Sequence, residues 1–225
     1  MTAPALLDHP ESGSSLDLVP KRARGRPRKT EEERDDGNRR HELITAAARL
    51  FRDQGFDATS TRDIAAAVGM HSGSPFYHFK SKDALLHAVM EEGMHAAMAR
   101  QASALHAAGV NEATADAPLV QIRRLIRAHF DTLLGPGNDF IPVMLYERRA
   151  LSAAQRASLA RLQADYESAW TPVLEALHAS GQLHAPVKLS RLLILGALNW
   201  SVQWFDPQKG ASLDELTDAA MALFF

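Results

Sequence analysis

Residues 68–82 read VGMHSGSPFYHFKSK, a stretch in which two glycines, a proline and three aromatic residues stand between two helical patterns. Just upstream, Ser60 is placed to cap a helix, and Asp63 completes a capping box three residues on, its charge suiting the helix N-terminus. Ile64, Ala65 and Val68 give that helix one apolar face, and Gly69 ends it. A second short helix is expected over 72–79. Two such pieces around a tight glycine turn predict a helix-turn-helix. The second helix of that unit brings its first turn to base edges in the major groove, where small and hydrogen-bonding side chains fit best. Ser72, Gly73 and Ser74 meet that requirement. Pro75 costs little in a first turn, where the backbone N–H has no helical partner anyway. Phe79 is expected to fold under and hold this helix against the first one, while Lys82 adds a positive charge at a helix N-terminus, and both attract phosphate.

Working outward, Leu43, Ile44, Ala47, Leu50 and Phe51 recur at helical spacing from Arg39 onward, and Gly55 follows as a C-terminal cap. Residues 1–38 are rich in Pro, Gly, Ser and charge without apolar periodicity, which reads as a disordered tail. Downstream, Ser81 caps a long helix over 82–105. Further helices are expected near 119–134, 141–151, 153–179 with a kink at Pro172, 187–205 and 213–224. No strand pattern competes, so the fold class is all-α. The expected division is a tail over 1–38, a three-helix head over 39–86 and a helical body over 87–225.

With 225 residues and 46% apolar content, the chain can bury a substantial core. It has no run of about 18 uncharged apolar residues, and no secretion signal is read at its N-terminus, so a cytoplasmic protein without membrane contact is expected. The absence of cysteine agrees and excludes thiol chemistry and cysteine metal sites. No Gly-rich phosphate loop, HExxH or paired-carboxylate signature is present, so no catalytic residues are assigned and an enzyme is not expected. His87, Glu91 and His95 recur every fourth residue, but no second helix supplies further ligands, and no metal or cofactor is expected.

Residues 43–86, carrying GFDATSTRDIAAAVGM and then GSPFYHFKSKDALL, resemble the tetracycline-repressor (TetR) family of bacterial regulators. The resemblance implies a DNA-binding head, a long fourth helix leading to a regulatory body, and a homodimer on a palindromic operator of double-stranded DNA. It also places Ser60, Thr61 and Arg62 where the family touches the backbone or groove, Ser72, Gly73 and Ser74 at the start of the recognition helix, and His78 and Lys82 at phosphate-contact positions. Two departures stand out: Pro75 replaces an aliphatic residue, and Phe76 replaces a tyrosine, whose phosphate contact Tyr77 is the candidate to restore.

The net charge of −2 conceals a basic segment, KRARGRPRK, with six Lys or Arg in nine residues, followed at once by acids. Its core, Arg24-Gly25-Arg26-Pro27-Arg28, resembles an AT-hook, in which flanking arginines read a narrow A·T minor groove. A generic basic arm is the alternative.

In the body, KLSRLLILGALNWSVQWF over 188–205 is apolar on most sides, as expected for a helix buried against its own body and a partner, with Gly196 allowing close approach. A final amphipathic helix over 213–224 can join it in a four-helix dimer interface. The segment GALNWSVQWFDP resembles members that respond to acyl-CoA thioesters, which implies a small hydrophobic effector. Trp170, Asn199, Trp200 and Gln203 are the candidate ligand contacts, although the tryptophans also suit a core or interface and the amides also suit a dimer contact. Arg123, Arg124 and Arg127 can face CoA phosphates or simply solvent. A ligand-responsive repressor is therefore expected. An architectural A·T-binding protein without effector and, further off, an α-helical enzyme are the alternatives.

Overall fold

Capping chemistry sets the helix starts. The computed structural model describes residues 31–71, 73, 75–106, 117–206 and 208–225, and among these it contains helices and no strand. In chain order they are α1 (Glu31–Gln54), α2 (Thr61–Ala67), α3 (Pro75–His78), α4 (Lys82–His106), α5 (Ala117–Leu134), α6 (Phe140–Tyr146), α7 (Ala153–Ser168), α8 (Thr171–Ala179), α9 (Val187–Trp200) and α10 (Leu213–Phe224). Single 3-10 turns at Arg148–Ala150 and Ser201–Gln203 follow α6 and α9. Reciprocal capping boxes open α2 (Ser60 with Asp63), α7 (Ser152 with Gln155) and α10 (Ser212 with Glu215), each satisfying amide donors that have no helical partner.

Several boundaries differ from expectation, the ends of α6 at Tyr146 and of α9 at Trp200 among them. Helix α1 begins at Glu31, inside the expected tail. The expected kink at Pro172 is instead a break at Ala169 and Trp170, with the proline in the first turn of α8, where its missing N–H costs nothing. The recognition element is a single turn, Pro75–His78, preceded by Gly73 in a turn. Ser72 and Ser74 lie outside the described residues, as do Arg24, Arg26 and Arg28.

Packing does not divide at residue 86. Leu43, Ile44, Phe51, Ile64, Phe79, Leu85 and Leu86 form one core with Met90, and Val143, Leu151 and Leu159 of the body belong to the same cluster. A second core gathers α5, α8, α9 and α10 around Ile126, Phe130, Trp170, Leu177 and Leu198. Met94, Ala97 and Tyr166 form a small bridge cluster with their own neighbours. Helix α6 crosses α4 at Gly93, where an added Cβ would lie 2.7 Å from Phe140 Cβ. Only glycine admits that approach.

Candidate functional site

The α2–α3 tip is built by backbone chemistry. Ser60 Oγ accepts from the Asp63 amide at 3.1 Å, and the Asp63 carboxylate accepts from the Ser60 amide at 2.9 Å and hydroxyl at 2.6 Å. Those bonds from Ser60 hold the Asp63 carboxyl below its ordinary pKa. Gly69 ends α2 with φ +68, a left-handed conformation suited to glycine, while Met70 N donates to Ala65 O at 2.8 Å. Phe79 is buried, with the Arg40 guanidinium 5.0 Å from its ring centroid, so α1 does hold this turn from beneath.

The tip presents exposed Ser60, Arg62, Gly73 and Tyr77, with Thr61 and His78 partly covered beside them. Tyr77 is 91% exposed, so its ring adds little to the core. At Gly73 an added Cβ meets no atom within 4 Å. Lys82 has a different environment from the one expected for a phosphate contact. Its ammonium donates to Phe56 O at 2.8 Å and Thr59 O at 2.9 Å and lies 4.2 Å from the centroid of the Phe56 ring. It ties α4 to the α1–α2 loop.

That loop is also held by the body. Phe56 N donates to Glu147 Oε1 at 3.0 Å, and Arg52 near the end of α1 pairs with Asp139 at the start of α6. Helix α6 thus grips the head from one side while Ile141, Met144 and Leu145, with Arg148 just beyond, line a cavity of about 190 Å³ on the other. Met94, Ala97, Leu133 and Leu195 make the remaining walls largely apolar. Three of the polar lining residues form one chain: Tyr166 Oη lies 2.7 Å from His129 Nδ1, and Asn199 Oδ1 lies 3.2 Å from His129 Nε2. Burial pushes the His129 imidazole down to about 4, outweighing the upward pull of the Asn199 bond. Burial likewise pushes the Tyr166 phenol well above its ordinary value. A neutral imidazole satisfies both neighbours, donating from Nε2 to Asn199 and accepting at Nδ1 from the tyrosine hydroxyl.

Of the four expected ligand contacts, only Asn199 lines the cavity. Trp170 is fully buried in the second core, edge-on to His129 with ring centroids 5.8 Å apart. Its size makes it a packing residue behind the cavity. Trp200 is 66% exposed on the outer side of α9, and Gln203 bonds the Tyr146 hydroxyl at the surface. Arg123 pairs with Asp218, and Arg127 with Asp131 and Asp214, so both clamp or flank α10 rather than await phosphates. The residues missed, His129 and Tyr166, stand on different helices 37 positions apart, and only tertiary packing brings them together.

Helix α9 exposes a stripe of Leu189, Leu192, Leu193 and Trp200, and α10 exposes Leu223. Gly196 stands in the α9 stripe with open space at its Cβ position.

A helix-turn-helix tip tied to a helical body that carries a cavity is the architecture of a one-component regulator. Residues 43–89 match the model of the bacterial regulatory proteins of the tetR family, and residues 115–225 match the tetracyclin repressor-like C-terminal domain. The chain belongs to the TetR family. It is 26% identical to the HTH-type transcriptional repressor KstR2 of Mycolicibacterium smegmatis, over 83% of this chain and 88% of the relative. Among solved structures, superantigen PfiT is 37% identical with a TM-score of 0.72, covering 82% of this chain and 95% of that one. AibR in complex with isovaleryl coenzyme A and operator DNA shares the fold with a TM-score of 0.73 at 22% identity, covering 83% and 98%.

Proposed function

We propose that this protein is a ligand-responsive transcriptional repressor, a homodimer whose two heads bind a palindromic operator and leave it when a small hydrophobic effector enters the body. The observation that carries this reading is helix α6, which lines the cavity and is tied to the head through Glu147 and Asp139. An effector that favours one placement of α6 and α4 changes the separation of two recognition turns, which must sit about 34 Å apart to enter successive major grooves. Only a coupling of about 1 to 3 kcal/mol is needed for an affinity change of about 5- to 150-fold.

At the DNA, Gly73 and Tyr77 with flanking Ser72 and Ser74 enter the groove, and Ser60, Thr61, Arg62 and His78 contact its edges and backbone. Lys82 acts by positioning the α1–α2 loop. Arg24, Arg26 and Arg28 add a minor-groove arm. The dimer forms through the exposed apolar face of α9 and α10. The effector is an acyl-CoA thioester, no catalytic step is involved, and the protein works in the cytoplasm. The test is a footprint on the DNA upstream of its own gene, repeated with a panel of acyl-CoAs. A protected palindrome that opens with one of them is expected. Broad A·T-rich protection with no response to any ligand would refute the repressor.

A further inference from the structure

The cavity's size and its polar chain narrow the effector further, on the premise that this cavity is the effector site. An engineered apolar cavity of about 150 Å³ holds one benzene ring, and the cavity here is about 190 Å³. It therefore accommodates roughly six to eight non-hydrogen atoms. A long acyl chain or a fused four-ring skeleton does not fit within it. The buried walls Met94, Ala97 and Leu195 ask for an apolar group of that size.

The polar chain then sets what must follow the apolar group. Thr132 is already engaged, donating to Ala128 O at 2.9 Å and accepting from Arg100 at 3.1 Å. His129 has both ring nitrogens paired. Asn199 Oδ1 receives the His129 proton, which leaves the Asn199 amide N–H groups as donors beside the cavity. Such donors recognise a carbonyl oxygen.

The rim supplies charge. Glu167 is engaged by Gln163 at 2.9 Å and by Arg191 at 3.8 Å, whereas exposed Arg148 makes no ion pair among the described residues. We propose that the effector is a short-chain carbonyl compound with an anionic extension: an apolar group of about six carbons in the cavity, its carbonyl oxygen on the Asn199 amide, and its anion at Arg148. A CoA thioester and a free keto acid both carry this chemistry.

The experiment is calorimetric titration of the full chain without DNA, using saturated acyl-CoAs of two to sixteen carbons, free CoA, a keto acid with the six-carbon alkyl group and a fused four-ring ketone. Affinity is expected to rise about fourfold per methylene up to about six carbons and to stop rising there. The keto acid arm decides between the two sources, since binding only by the thioester assigns the anion to CoA. Asn199→Leu, which keeps the bulk and removes the donor, is expected to weaken the six-carbon ligand about tenfold. Arg148→Ala is expected to weaken it by up to about fivefold at low salt. The idea is overturned if the sixteen-carbon thioester or the four-ring ketone binds more tightly than the six-carbon ligand, or if no ligand binds. Should a six-carbon ligand bind as described and leave the operator footprint intact, the cavity assignment stands and the repressor reading fails. Should a larger ligand alone open the footprint, the repressor stands and this assignment fails.

Discussion

At the residue scale, the most informative position is one that the fold does not need. Gly73 has open space where a side chain would begin, and its φ is not among the positive values that five other glycines adopt. Gly73→Glu is therefore expected to leave the melting temperature within about 2 °C of wild type, a change of about 0.5 kcal/mol or less. Operator affinity is expected to fall at least about 100-fold, because a carboxylate would face phosphates and base edges at close range. Gel-shift titration beside a thermal melt separates the two effects, and unchanged selective affinity in a folded variant would remove Gly73 from the interface. His129 carries a prediction of a different kind. Its folded pKa of about 4 lies below the ordinary 6.5, so between those values the unfolded chain takes up a proton that the folded chain refuses. That part of the stability is complete above pH 6.5 and is lost as pH falls towards 4, amounting to about 3 kcal/mol. Urea denaturation at pH 7.5, 5.5 and 4.5 should show wild type losing this much more than His129→Leu. Parallel losses in the two proteins would mean that the buried ring does not govern the acid response.

At the element scale, α6 has seven residues and two jobs. Val143 belongs to the head's core, Glu147 at its C-terminal end holds the Phe56 amide, and Ile141 and Met144 face the cavity. Glu147→Ala should therefore keep operator binding within about threefold of wild type while reducing effector-driven release, because one link of the coupled element is gone. Glu147→Gln preserves an acceptor for the Phe56 amide and should retain most of the release. Operator titrations with and without effector check both variants, and full release in the alanine variant would exclude this link. The contrast with the helix starts explains what could be read in advance. Capping at Ser60 and Ser81 and the glycine stop at Gly69 are local, since residues three or four apart decide them. The glycine at position 93 and the role of Lys82 are not local. Each depends on a partner elsewhere in the chain: Phe140 for Gly93, and the carbonyls of Phe56 and Thr59 for Lys82. Likewise a histidine within an apolar helix does not announce that its partners are a tyrosine 37 residues away and an asparagine 70 residues away. The tip was legible as a pattern; the cavity was not, because tertiary packing alone assembles it.

At the scale of the whole molecule, the unexplained expense is apolar surface left in water. Leu193 is 68% exposed, Trp200 66% and Leu223 76%, all on α9 or α10 and far along the chain from the tip. A two-fold axis through this face would set α9 and α10 against their copies, with Gly196 at the point of closest approach, and would bury each of these side chains twice over by symmetry. The same axis fixes the spacing of the two tips, so dimer formation and operator recognition are one constraint. Leu193→Glu combined with Gly196→Arg places charge and bulk at that contact without touching either core, since both positions are exposed in the single chain. Sedimentation should then report a folded monomer, with circular dichroism unchanged. Operator affinity should fall by a factor on the order of 10² or more, because the second head no longer arrives at the effective concentration that linkage to the first provides. Effector binding to the separated chain is expected to persist, because Asn199 and Arg148 are left unaltered by these substitutions. A variant that remains dimeric would move the interface elsewhere on the body, and a folded monomer with undiminished operator affinity would show that the two heads do not act as a pair.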